Sequence, residues 1–206
     1  GPIYVPWSSQ EVSLPDREMP TRYFMSVFDL QPLIDYVREQ NLSPQQIILT
    51  HAHVDHIAGL GEMRELWADI PILLHDAEHD FLTDPALNLS AFLAQPIVTP
   101  PATGSLAHGA SLSLEGINFE IRHTPGHSPG GVTLYQPDNN AALVGDTLFA
   151  SSIGRSDFPT SDGNVLMQSI REQLLTLPDT TRVLPGHGPA TTIGSERASN
   201  PFLQSN

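Results

Sequence analysis

From residue 29 onward, apolar positions recur first at a helical spacing and later at a strand spacing, and the change between the two maps the chain. Leu30, Leu33, Ile34 and Val37 fall on one helical face, with Asp29 placed to cap it, which predicts a helix ending near Asn41. Residues 46–50 hold the run Ile47-Ile48-Leu49, the composition of a short buried strand. Ile57, Leu60, Met63 and Trp67 restore the helical period, and a strand over 72–74 and a short helix near 76–82 follow. Four strands are then predicted at 111–114, 117–123, 131–135 and 141–144. The turns Glu115-Gly116, Thr124-Pro125-Gly126 and Asp138-Asn139-Asn140 separate them and favour antiparallel pairing. A helix over 164–176, a strand over 182–184 and the turn Pro185-Gly186-His187-Gly188-Pro189 complete the pattern. Residues 1–28 are atypical: Pro2, Pro6, Pro15 and Pro20 interrupt them, and only 23–28 reads as a strand.

With 206 residues and 22.4 kDa, the expectation is one domain spanning residues 1–206, with 1–28 as its irregular segment. No apolar run reaches the roughly 20 residues of a membrane-spanning helix, so no membrane partner is expected. The formal net charge is −14 and all 9 basic residues are arginine, which excludes the basic face of a nucleic-acid-binding protein. Bound divalent cations would offset that charge locally, so a small anionic substrate stays compatible with it. The absence of cysteine removes disulfides and thiolate ligands and leaves the redox compartment open. No signal-peptide pattern opens the chain, Gly1-Pro2 reads as the scar of a protease cut, and cytoplasm is the default location. The oligomeric state is not encoded in any of these features.

The chemistry concentrates in Thr50-His51-Ala52-His53-Val54-Asp55-His56, where three imidazoles and a carboxylate share one turn after a predicted strand. His127, Asp146 and His187 each follow another predicted strand, and Gly126, Gly145 and Gly186 beside them permit tight turns, so loops at strand ends can bring all of these groups together. Seven candidates exceed the four ligands of a single zinc. They suit two metals sharing a carboxylate and a water. Imidazole and carboxylate donors fit zinc first, with iron or manganese as alternatives, and metal-assisted hydrolysis is the reaction class such a pair favours. His75, His79, His108 and His123 lack a matching turn and are expected to have ordinary structural roles.

Four blocks, Thr50-His-Ala-His-Val-Asp-His56, Thr124-Pro-Gly-His-Ser-Pro-Gly130, Val144-Gly-Asp-Thr-Leu-Phe149 and Leu184-Pro-Gly-His-Gly-Pro189, occur in an order that resembles the metallo-β-lactamase superfamily. Within it, the chain is most similar to small glyoxalase II-like hydrolases, over roughly residues 29–203. The resemblance implies an α/β fold, α+β by some schemes: a four-layer αβ/βα sandwich with the metal site at one edge. It implies that His51, His53 and His127 hold one metal, that Asp55, His56 and His187 hold the other, and that Asp146 bridges them. Asp55 would also orient the attacking water and take up a proton. Arg155 would anchor a glutathione moiety, and Phe158 with Phe149 would line the thioester pocket; an Arg155–Asp157 ion pair and core packing are their ordinary alternatives. The implied activity is hydrolysis of a small-molecule thioester, a glutathione conjugate. The cysteine ligand of the best-known zinc β-lactamases is missing, and the others lack an aspartate at the place of Asp146, so antibiotic hydrolysis is not expected. Residues 1–28 do not resemble the hairpin and Asp-Pro-Gly turn that open the family, and the chain stops where full-length glyoxalase II continues into a helical domain. Two other readings remain: a persulfide dioxygenase with one iron on His51, His127 and Asp146, and a non-catalytic metal-binding module.

Overall fold

The computed structural model describes residues 30–114 and 116–204, so the predicted Asp29 cap and the strand over 23–28 lie outside the described residues. Helix α1 (Gln31–Glu39) buries Leu33, Ile34 and Val37, the face expected from their spacing, against Met63 and Trp67. The helical period of residues 57–67 is met by two short helices, α2 (Val54–Ile57) and α3 (Leu60–Leu66). The break falls at Ala58-Gly59, where glycine is a weak helix former and a side chain on Gly59 would collide with Leu30.

Strands β1 (Ile47–Ile48), β2 (Ile72–Leu74) and β3 (Gly104–Ser105) form a parallel sheet in that order. Strands β4 (Ser111–Leu114), β5 (Ile117–His123), β6 (Val132–Gln136) and β7 (Ala141–Gly145) pair antiparallel in succession, as the turns predict. A hairpin of β8 (Leu148–Phe149) and β9 (Ser152–Ile153) comes next. It leads to α4 (Gly163–Ser169), whose N-terminus is capped by the Asp162 carboxylate accepting from the Asn164 and Val165 N–H groups. Residues Ile170–Leu174 continue α4 as a widened π turn rather than as the α-helix expected to residue 176. After this crossover, β10 (Arg182–Pro185) lies parallel to β7, and β11 (Thr191–Thr192) and α5 (Ile193–Ser199) follow. The large sheet thus has six strands in the order β11-β10-β7-β6-β5-β4.

Alternation along the strands creates the layers, because successive side chains leave opposite faces of a sheet. Ala141 and Leu143 of β7, Leu134 of β6 and Leu184 of β10 join a core that also takes in Ile48 and Leu73, from the small sheet. Ala142, Val144, Tyr135 and Val183 face the other way, onto Leu166, Ile170, Leu174 and Ile193. On the far side of the small sheet, Ile47, Ile72 and Leu74 pack against Ile57 and Leu60. The order is therefore helix, sheet, sheet, helix. Among the described residues no helix is long and apolar enough to cross a membrane. The ends of the two sheets are tied where the Val132 N–H donates to the Thr50 carbonyl at 2.8 Å, one residue before the histidine turn.

Candidate metal centre

Each chemical segment leaves the C-terminal end of a strand: residues 50–56 follow β1, the loop with His127 follows β5, Asp146 follows β7 and His187 follows β10. His53 sits in extended backbone as the N-cap of α2, so Asp55 and His56 occupy its first turn. Gly126 adopts φ +125 and lies against the Leu166 backbone, a place where no side chain fits. Gly186 similarly leaves room for the Asp146 carboxylate and the His56 ring.

The seven candidate groups meet as two sets, His51, His53 and His127 in one and Asp55, His56, Asp146 and His187 in the other. Within each set the ligating atoms lie within 4.8 Å of one another. Asp146 stands between the sets, with Oδ2 3.7 Å from His127 Nε2 and 3.4 Å from His187 Nε2, and Oδ1 3.6 Å from His56 Nε2. His51, His53, His56, His127 and Asp146 are buried, whereas Asp55 is half-buried and His187 is 45% exposed, which marks the open side of the centre.

The donor set fits cations. His51 Nε2 and His53 Nε2 are buried without a hydrogen-bond partner, a condition that costs free energy unless something else satisfies the nitrogen. His127 Nδ1–H donates to the Arg155 carbonyl at 2.8 Å, which places the proton on Nδ1 and leaves Nε2 as the lone pair facing Asp146 and His53.

Burial lowers the pKa of His51 far below its ordinary value, helped by the charges of His56, His53, His127 and His187. Burial, then His127 and His56, pushes His53 from 6.5 down to about 3, and burial also lowers His127. His187 shifts upward because it hydrogen-bonds Asp55 at 2.8 Å. Burial opposes ionisation of both carboxylates. The His187 hydrogen bond and the charges of His56 and His187 nevertheless carry Asp55 well below the carboxylate range, and the charge and hydrogen bond of His56 lower Asp146.

A pH dependence of the metal-free fold follows. His51, His53 and His127 have folded pKa values below the unfolded 6.5, so between those values the unfolded chain binds more protons. Their contribution is complete above pH 6.5 and is lost as pH falls through their lowered values, about 3 for His53, whereas His187 and the buried Glu78, both raised, work in the opposite sense and lose their contributions as pH rises through their raised values. The three buried imidazoles, joined toward the carboxylate range by the lowered Asp55 and Asp146, outweigh those two, so the melting temperature of chelator-treated protein is expected to fall steadily on acidification below pH 6.5. A flat profile from there to the carboxylate range would contradict burial of neutral imidazoles.

Around this centre, Arg155 is exposed, pairs with Asp157 through bonds of 2.9 and 3.0 Å, and lies 4.4 Å over the Phe158 ring. Phe158 stands edge-on to His53 at 5.3 Å and to His127 at 5.8 Å, and Phe149 is 6.5 Å from His187. The other four histidines are in neither set. His75 stacks on His123 at 4.0 Å, His108 accepts the His123 N–H, and His79 lies 3.4 Å from the Leu74 carbonyl.

Two contributions escape the sequence pattern. One is the Arg155 carbonyl, since no backbone atom has a residue-type signal. The other is Glu78, fully buried, with Oε2 accepting the Ala52 N–H and Oε1 the Gly130 N–H at 2.7 Å. Its one trace in the sequence is phase: Glu78 stands three and four residues before the buried pair Phe81 and Leu82.

The family model that describes the metallo-beta-lactamase superfamily matches residues 19–187. The chain is 45% identical over 169 residues to the probable metallo-hydrolase YqgX of Bacillus subtilis, a match covering 82% of this chain and 80% of that protein. It is 36% identical over 185 residues to the hydroxyacylglutathione hydrolase GloC of Haemophilus influenzae, covering 86% and 84%. Among solved structures it resembles BLEG-1 B3 metallo-β-lactamase, with TM-score 0.81, 44% identity and coverage of 86% and 85%. It also resembles TTHA1623 in a di-iron-bound form, with TM-score 0.75, 38% identity and 85% of each chain covered.

Proposed function

The chain belongs to the metallo-β-lactamase superfamily, and from that membership we propose that it is a dinuclear metal-dependent thioester hydrolase acting on S-acylglutathione compounds. The observation that carries this reading is the pair of ligand sets with the Asp146 carboxylate between them. His51, His53 and His127 would hold one ion, Asp55, His56 and His187 the other, and Asp146 both. Two complete sets argue for two ions and against the single-iron arrangement on His51, His127 and Asp146. Zinc suits the donors; the di-iron form of TTHA1623 supports iron as the alternative.

Bound ions would supply Lewis acidity toward the thioester carbonyl and acidify a water. The chain's own groups do the rest. Asp55, ionised and on the open side, orients that water and accepts its proton as the new C–O bond forms. The C–S bond then breaks, and the thiolate leaves without a general acid because its own pKa is low. Phe158 offers an apolar wall beside His53, and Arg155 an exposed cation for a glutathione carboxylate. To bind it, Arg155 must share or exchange Asp157.

The test is incubation of zinc-loaded and iron-loaded protein with S-lactoylglutathione, reading free thiol. Release well above a metal-only control is expected, and its absence with both metals would overturn the thioesterase reading. The 44% identity to BLEG-1 favours a second reading, β-lactam hydrolysis, so a chromogenic cephalosporin belongs in the same assay. Turnover of the cephalosporin alone would select that second activity.

A further inference from the structure

We propose that Glu78 is a positioning residue of the metal centre: its buried carboxylate clamps the Ala52 and Gly130 N–H groups and so sets His51 and His53 against His127. The inference rests on the metal-centre reading above but not on the choice of substrate.

The clamp joins two segments that come from different sheets. Ala52 lies between His51 and His53 in the turn after β1, and Gly130 lies three residues after His127 in the loop after β5. Glu78 itself ends a short 3₁₀ turn, Asp76–Glu78, that follows β2. The three ligands it flanks are the whole of the His51, His53 and His127 set. A carboxylate is the one side chain that presents two acceptor oxygens and no hydrogen to two converging N–H groups. An amide of the same shape would turn an NH₂ group toward one of them. The fit is close, since a side chain at residue 130 would meet Glu78 Cγ at 2.8 Å.

The environment points the same way. The arginine ion pairs among the described residues lie elsewhere, at Arg122–Glu120, Arg155–Asp157 and Arg197–Asp179. Burial pushes the Glu78 carboxyl upward in pKa against the Ser128 hydroxyl and the two backbone donors, and a buried carboxyl held so, with no arginine paired to it, is costly for a fold that needs it only as a staple. Beside a set of neutral imidazoles that receive a dication, the same negative charge and the same fixed spacing both favour the bound state. Partners that orient ligands in this way typically govern metal affinity by about 10–100-fold.

Zinc affinity, measured by chelator competition on the full chain, is the readout, because a purely structural role would not move it. Glu78→Gln is compared with Glu196→Gln, which removes another buried carboxylate that accepts from the Ser151 N–H, Thr191 and Asn200, none of them a candidate ligand. The expected result is that E78Q binds at least one zinc equivalent about tenfold or more weakly while E196Q keeps wild-type affinity. Wild-type affinity for both equivalents in E78Q overturns the proposal, whatever happens to its melting temperature, and so does an equal loss in E196Q. Should E78Q fail to fold, E78D keeps the charge but is too short to reach both N–H groups, and the same criteria apply. Hydrogen exchange in the wild type tests the clamp without a substitution. The Ala52 and Gly130 amides are expected to be protected and to slow further with zinc; free exchange at either overturns the proposal. A wild-type protein that binds no zinc, iron or manganese would instead remove the metal centre itself, and the proposal with it.

Discussion

Asp146→Ala is expected to abolish two-metal occupancy and to lower hydrolysis by about 10³-fold or more, equivalent to roughly 4 kcal/mol of barrier. The reason is position. Among the described residues, Asp146 is the carboxylate whose oxygens approach candidate ligands of both sets, at 3.7 Å from His127, 3.4 Å from His187 and 3.6 Å from His56. In the proposed two-metal centre its removal would take a ligand from each ion and the negative charge that offsets their mutual repulsion. It also takes a buried anion away from the histidines. Metal analysis after dialysis against limiting zinc should show the loss, and Asp146→Asn, which keeps the shape and one acceptor oxygen, should recover part of it. Two tightly held ions in the alanine variant would contradict the bridge.

Asp55→Ala is expected to separate turnover from stability. Asp55 is half-buried on the open side, and its pair with His187, itself 45% exposed, is screened by solvent. Such a pair contributes about 1 kcal/mol or less to the fold. Acting as the group that orients the water and takes its proton, the same carboxylate governs about 10²- to 10⁴-fold in rate. The prediction is a large fall in kcat with a melting temperature changed by a few degrees. Because Asp55 is also a candidate ligand, the assay belongs at saturating zinc: turnover restored to wild type there would leave Asp55 a ligand and nothing more.

The parts of the molecule legible beforehand are those where a local pattern and a tertiary role coincide. β4 and β5 show alternation and β6 and β7 short, largely apolar runs, all bounded by turn residues, and α1 shows a helical face of four apolar residues that become its buried side. The candidate ligands were legible because histidines and aspartates placed just after apolar runs have few structural reasons to be there. The illegible elements are short or borrowed. β3, β8, β9 and β11 are two residues each, too brief to establish a period, and they exist because a neighbouring strand or hairpin partner offers hydrogen bonds. α5 is only seven residues long and holds two inward side chains, Ile193 and Glu196, of which the second is polar. The helical period of residues 57–67 gave no sign of its interruption, because the apolar spacing survives the break at Ala58-Gly59.

The amino-acid sequence alone determined which groups are candidate donors, that they follow strands, and that no cysteine thiolate is among them, because residue type and local period are one-dimensional properties. Tertiary structure decided how those donors divide into two sets, that Arg155 is engaged with Asp157 and Phe158, and that a glutamate distant from every ligand in the chain spans two of the loops. These are properties of distance and burial. They arise only when two sheets pack face to face and bring together groups separated by 26 and 52 residues.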